Sequence, residues 1–169
     1  MGRFRRTKGG RESGAAAVEF ALVVPILLVI LFGIIDYGLL FSNALSVKQG
    51  AREAARQGVV ANYGSPCAMT FSVAPSANMQ KLACTAVDRT GAVTGQIYVK
   101  IKLPQGWVKG KPLVLCAMVQ TAGLTGITPM PTGGVVSSKV EMSIEKATVG
   151  QAEAGGEQAP PSGADWSWC

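Results

Sequence analysis

The chain has 169 residues, 48% of them hydrophobic, a net charge of +6 and no histidine. Lacking histidine, it lacks the commonest general base and metal ligand near neutral pH, and its acids Asp88, Glu141 and Glu145 are scattered with no nucleophile–base pair beside them. These features argue against an enzyme, a metal site and a bound cofactor. The positive charge is also localised: Arg3, Arg5, Arg6, Lys8 and Arg11 precede Gly14 against the single acid Glu12, whereas Ala15 onward carries 11 basic and 9 acidic residues. So short a basic tail points to membrane topology, not to a nucleic-acid partner.

From Ala15 to Ile35 run 21 residues whose only charge is Glu19. At about 1.5 Å per residue such a helix is about 30 Å long, the thickness of a bilayer's hydrocarbon core. The basic residues ahead of it are expected to stay on the cytoplasmic side, leaving the rest of the chain outside. Pro25 should kink the span, because proline removes a backbone hydrogen bond inside a helix. Gly33 and Gly38 offer close-packing surfaces, Asp36 marks the expected outer boundary, and Tyr37 suits an interfacial anchor.

The helical pattern continues outward. Ala44, Val47, Ala51, Ala54 or Ala55 and Val59 recur at three- and four-residue steps, with Lys48, Arg52, Glu53 and Arg56 mostly off that stripe. One helix of about 43 residues, roughly 65 Å long, is therefore expected to cross the membrane and extend to about Gly58. Asn62 to Pro66 reads as loop.

Further on, Met69 to Val73 is expected to form a short strand. Ser76 reads as an N-cap for a helix through Met79, Leu82, Ala83, Ala86 and Val87 that stops at Gly91. Gln96 to Leu103 alternates as a half-buried strand, with Ile97, Val99, Ile101 and Leu103 on one face. The apolar run Leu113 to Leu124 could be strand or helix; Pro112 suits a helix's first turn, which tilts the reading towards helix. Val135 to Glu145 alternates again, with Val136, Ser138, Val140, Met142 and Ile144 on one side. The expected arrangement has two antiparallel strands joined by a crossover and leaning on the long helix.

From residue 150 the composition turns to Gly, Ala, Glu, Gln and Pro, as in a flexible tail, before the chain ends in D-W-S-W-C. The expected division is a leader over 1–14, a membrane-crossing and outward helix over 15–58, an extracytoplasmic α+β domain over 59–149 and a tail over 150–169. Cys67, Cys84, Cys116 and Cys169 all lie beyond the span, with no C-x-x-C pair among them. An even number on the oxidising side of a membrane reads as a disulfide set. Three pairings are open, as are four free thiols; the simplest pairing joins Cys67 to Cys84 and Cys116 to Cys169. With that bridge to Cys169, Trp166 and Trp168 would dock on the body; without it they would form an exposed contact site.

A secretory signal peptide fits less well, since the apolar run is too long and the nearest small-x-small site is Ser42-Asn43-Ala44. A plain membrane anchor carrying an extracytoplasmic binding domain explains the basic leader and the span, but not why Glu19 stands five residues after Gly14. The sequence G-A-A-A-V-E-F at Gly14 to Phe20, behind a basic leader and ahead of an apolar helix, resembles the processing site of type IV prepilins. Its continuation A-L-V-V-P-I-L-L-V-I-L-F-G-I-I-D-Y-G and then A-R-E-A-A-R-Q-G is similar to the TadE-like minor pilins and pseudopilins of the tight-adherence (Tad/Flp) pilus system. The resemblance implies cleavage between Gly14 and Ala15 by a membrane-embedded prepilin peptidase, with Glu19 and Phe20 part of the recognised motif. It implies a long helix followed by a small pilin-like α+β domain of a few antiparallel strands and one or two helices. It also implies partners among other pilins and a pilus assembly platform, and a single-pass place in the inner membrane or in a pilus used for attachment.

Overall fold

The computed structural model describes residues 12–91, 93–123, 126, 129–146 and 152–169; the leader arginines and lysine fall outside them. Its dominant element is helix α1, Glu12–Val59, 48 residues long and so about 72 Å from end to end. The helix is unbroken at Pro25. From Gly14 through residue 35 its side chains are exposed or half-exposed on every side. From Asp36 a buried stripe begins and runs through Leu40, Asn43, Val47, Ala51, Ala54, Ala55 and Val59. The alternation of three- and four-residue steps keeps that stripe on one face of the helix.

Against the stripe packs helix α2, Ala77–Thr90, which begins after Ser76 and ends at Gly91 with φ 71°, a backbone state suited to glycine. The first turn of α2 contains no acid of its own. One is supplied from far along the chain. Ser76 Oγ donates to Glu153 Oε2, and Asn78 Nδ2 donates to Glu153 Oε1 at 2.6 Å, so a carboxylate sits at the positive end of the helix.

The sheet contains β1 (Gln96–Lys102), β2 (Pro112–Gln120), β3 (Val135–Ser143) and β4 (Gly156–Glu157), in the order β3-β2-β1-β4. All of its pairings are antiparallel: Gln96 faces Gln120 and Lys102 faces Val114, while Pro112 faces Ser143 and Gln120 faces Val135. The two alternating segments are strands as expected, but they do not pair with each other. Between them lies β2, the segment read from sequence as leaning towards helix. Residues Leu113 to Val119 are all buried because both faces of this central strand are covered, which removes the alternation that marks a half-exposed strand. Pro112 stands at its first position, where a missing N–H is tolerated.

One face of the sheet receives α1 and α2, enclosing Val47, Ala51, Ala55, Leu82, Val99, Leu115 and Val140 in the main core. Each large, fully buried side chain there, such as Leu82 or Leu115, contributes about 2 kcal/mol of burial free energy. The other face carries a second cluster in which Trp166 and Cys169 cover Val114, Cys116 and Met118.

That second cluster corrects the expectation of a flexible tail. Residues 152–169 are threaded along the sheet: β4 pairs with β1 through Lys100 and Ile101. Gln158 then continues the edge, its side-chain oxygen accepting from Val99 N at 2.9 Å and its own N–H donating to Val99 O at 3.1 Å. Composition suggested disorder, but Gly156 serves close approach; a β-carbon there would meet Val73 O and Pro75 N at 2.6 Å. The strand expected at Met69 to Val73 is also absent. Only Val73 bridges, to Glu157, because the partner it meets is itself two residues long. The architecture is α+β, with an apolar helix projecting from a four-stranded antiparallel sheet.

Candidate functional site

Gly14 to Phe20 occupy the first turns of α1, and all seven residues are exposed, Phe20 at 71%. A β-carbon at Gly14 would meet nothing within 4 Å. Among the described residues, packing therefore does not demand a glycine there. Ala15 and Glu19 are four residues apart on a continuous helix and so lie one turn apart on the same face.

Ile26, Leu27, Val29, Ile30 and Ile34 project outward around the next turns, and no part of the sheet or of α2 covers them. In water such a surface would be untenable for a monomeric soluble domain. The helix is long and apolar enough to cross a membrane.

The outer half of α1 holds the residues that sequence reasoning missed. Asn43 is buried. Its Nδ2 donates to Thr94 Oγ1 at 2.8 Å and Thr121 Oγ1 at 2.7 Å, while its Oδ1 accepts from Thr94 N at 3.3 Å. One side chain thus ties the long helix to the start of β1 and the end of β2. The signal available in the sequence was a polar residue falling on an otherwise apolar stripe. Asp36 is also fully buried, so it is not the solvent-facing boundary residue its charge suggested.

On the solvent side of α1, Glu53 accepts from Arg56 and Gln57 at 2.7 to 2.9 Å. The hydrogen bond from Arg56 and then that from Gln57 pull the Glu53 pKa down to about 2. The pair is a solvated i,i+3 contact, not a reactive centre.

Two disulfides close the outer part. Cys67 is joined to Cys84, tying the irregular segment after α1 to α2, and Cys116 is joined to Cys169, tying the centre of β2 to the C-terminal segment. Beside the second bond Trp166 Nε1 donates to Gln158 O at 2.9 Å, and Trp168 Nε1 donates to Asp165 O at 2.9 Å. The Asp165 carboxyl, which accepts from the Ser167 hydroxyl and backbone N–H, is held below the usual carboxylate range by them in that order. D-W-S-W-C is thus a folded cap whose tryptophans are spent on the sheet, though Trp168 stays partly exposed.

A cleft of about 560 Å³ opens between residues 68–72, Val87, the start of β1 and Gln158–Ala159. Tyr98 is the only titratable side chain lining it, which gives it no acid–base pair. Among the described residues no three His, Cys, Asp or Glu side chains come together as metal ligands.

Comparison with known proteins bears on the helix. Residues 14–56 match the family model of TadE-like proteins. Over that stretch, about a quarter of its length, the chain is similar to TadE-like proteins. The TadE-like segment starts at Gly14 and ends three residues short of the end of α1, so it takes in the bare apolar half and most of the half that carries the outer domain. The family links the chain to pilin-like, Tad pilus-associated proteins, which are structural. No curated protein and no solved structure gives a significant match.

Proposed function

We propose that this chain is a minor pilin or pseudopilin: a structural subunit or assembly factor of a Tad/Flp-type pilus serving surface attachment and biofilm formation. In this reading it enters the inner membrane once, with Arg3, Arg5, Arg6, Lys8 and Arg11 at the cytoplasmic headgroups and the α+β domain on the far side. The observation that carries the proposal is the TadE-like match opening at Gly14, with Glu19 the only charge between Ala15 and Ile35 in the uncovered part of the helix.

The chemistry expected at that point is amide hydrolysis by a prepilin peptidase. Water adds to the Gly14 carbonyl, the bond to Ala15 breaks, the leader leaves with a Gly14 carboxylate and the mature chain starts with an Ala15 ammonium. A carboxylate alone in a bilayer costs a few kcal/mol on insertion scales. An ammonium one turn away offsets that cost, because the two charges attract strongly where little water screens them. Processing therefore converts a penalised acid into half of an ion pair. The exposed apolar face of α1 is then free to pack with other pilins as the assembly platform adds the subunit.

N-terminal sequencing of the protein extracted from membranes tests the proposal. A start at Ala15 supports it; an intact Met1 reduces the chain to a membrane-anchored extracytoplasmic binding domain. Gly14→Leu should abolish cleavage, read as an upward mobility shift. Glu19→Gln should insert normally while processing, pilus incorporation or both fall. Normal piliation with Glu19→Gln would sink the ion-pair role.

A further inference from the structure

Between Glu19 and Lys48 the only charged residue of α1 is Asp36, and Asp36 is 0% exposed. The 28 residues from Phe20 to Val47 thus present no charge outward. At about 1.5 Å per residue they span about 42 Å, well beyond the ~30 Å hydrocarbon core but equal to a bilayer with its headgroup layers. Beyond Asp36 the outward face stays apolar, with Phe41 66% and Leu45 61% exposed.

What hides Asp36 is the connection between β2 and β3. A β-carbon on Gly123 would lie 3.6 Å from Asp36 Oδ2 and 3.2 Å from Met130 Cε, and Tyr37 donates its hydroxyl to Pro129 O at 3.1 Å. That connection, residues 121–134, contains no Asp, Glu, Lys or Arg. Of its described residues, Pro129 lies at the level of Tyr37, and Pro129, Pro131 and Thr132 are exposed.

We infer that residues 121–123 and 129–134, the described ends of that connection, and the Tyr37–Leu45 part of α1 form a lipid-contact collar seated in the interfacial layer of the outer leaflet. The collar screens Asp36 from the bilayer, so that the membrane boundary lies about two turns beyond that residue. A plane of lipid accounts for two charge-free segments on opposite sides of one helix at the same height. A single partner helix would need only a narrow stripe, whereas Ile34, Ile35, Tyr37, Gly38, Phe41, Ser42 and Leu45 are all exposed and span nearly half the helix circumference.

The inference rests on reading α1 as a membrane span, and its test separates the two. The full chain is reconstituted in phosphatidylcholine vesicles without brominated lipid, with lipid brominated near the headgroup, or with lipid brominated near the chain ends, the last set reading Leu31. Tryptophan is introduced singly as Leu31→Trp, Phe41→Trp, Met130→Trp or Val108→Trp, and quenching is read as the difference from the unsubstituted protein. The Phe41 and Met130 variants should be quenched at least about twofold more than the Val108 variant, whose site faces water. Quenching at Leu31 but not at Phe41 and Met130 would overturn the collar and leave the span standing. No quenching at Leu31 would remove the span itself. A Phe41 variant shielded from both brominated lipid and aqueous iodide would show a protein partner there, and would also overturn the inference.

Discussion

The two halves of α1 are one continuous helix under opposite rules. Through residue 35, bulky Val, Leu, Ile and Phe side chains point outward on every side. From Val47 to Val59 the positions turned towards the sheet and α2 are dominated by small residues, Gly50, Ala51, Ala54, Ala55 and Gly58. Hydrophobicity therefore does not mark the core of this molecule; size does. In the inner half the surroundings are themselves apolar, so no face needs hiding and side-chain volume is unconstrained. In the outer half small residues set how closely the sheet and α2 approach the helix, and dense packing there leaves little room for error.

Removing the bond between β2 and the C-terminal segment should break this contrast most strongly. Replacing Cys116 and Cys169 by serine opens a link with a sequence separation of 53, a loss of about 4 kcal/mol in the chain-entropy model. In denaturant titrations of the full chain in detergent, tryptophan fluorescence should show the outer domain unfolding early. Far-UV circular dichroism should still report the inner half of α1, and simultaneous loss of both would mean the halves are not separable.

Two substitutions within the outer half, one on its packed face and one on its bare face, sharpen the comparison. Gly50→Ala would bring a β-carbon 2.2 Å from Thr90 Oγ1 and 2.7 Å from the Thr90 backbone, whereas at Gly38 nothing lies within 4 Å. The first should cost about 2–3 kcal/mol by forcing α1 and α2 apart. The second should be neutral or gain up to about 1 kcal/mol of helix propensity. Equal effects in the same titration would show that the α1–α2 crossing does not depend on close approach.

A smaller effect is expected at Tyr63, whose buried hydroxyl has no hydrogen-bond partner among the described residues. Tyr63→Phe should leave stability unchanged or raise it by up to about 1 kcal/mol, since a buried polar group loses its water without replacement. Burial, and then the negative charge of Glu153, push the Tyr63 pKa from 10.0 to about 12. The favourable neutral form is thus intact below pH 10 and its contribution is lost as pH rises towards 12. The phenylalanine variant should lack that alkaline decline in unfolding midpoint; an identical decline would assign it to other groups.

Legibility from sequence followed the same division. The long helix, α2 and the alternating strands β1 and β3 each carry a period that a single face of water or core imposes. In β2, L-V-L-C-A-M-V has no period because the helices cover one side and Trp166 and Cys169 the other, and neither cover is local. Ser76 was readable as a helix start, but not that its hydroxyl turns to Glu153, 77 residues onward. Segment 152–169 reads as disorder because its glycines look like freedom, while in the fold Gly156 is where two backbones nearly touch. The likeness of the segment from Gly14 onward to TadE-like proteins was legible because it is carried by residue order alone. Asn43 and the covering of Asp36 were not, since each depends on threonines or a loop some 50 to 90 positions away.

The cysteines pair each with the next along the chain, the first two together and then the last two. A polypeptide whose segment beyond the long helix enters an oxidising compartment in chain order presents them in that same order. The first bond can close before the third thiol arrives, which removes two competitors and leaves the remaining pair no wrong choice. Native connectivity is thereby written into the order of the cysteines along the chain, since sequential pairing leaves each bond no competing thiol.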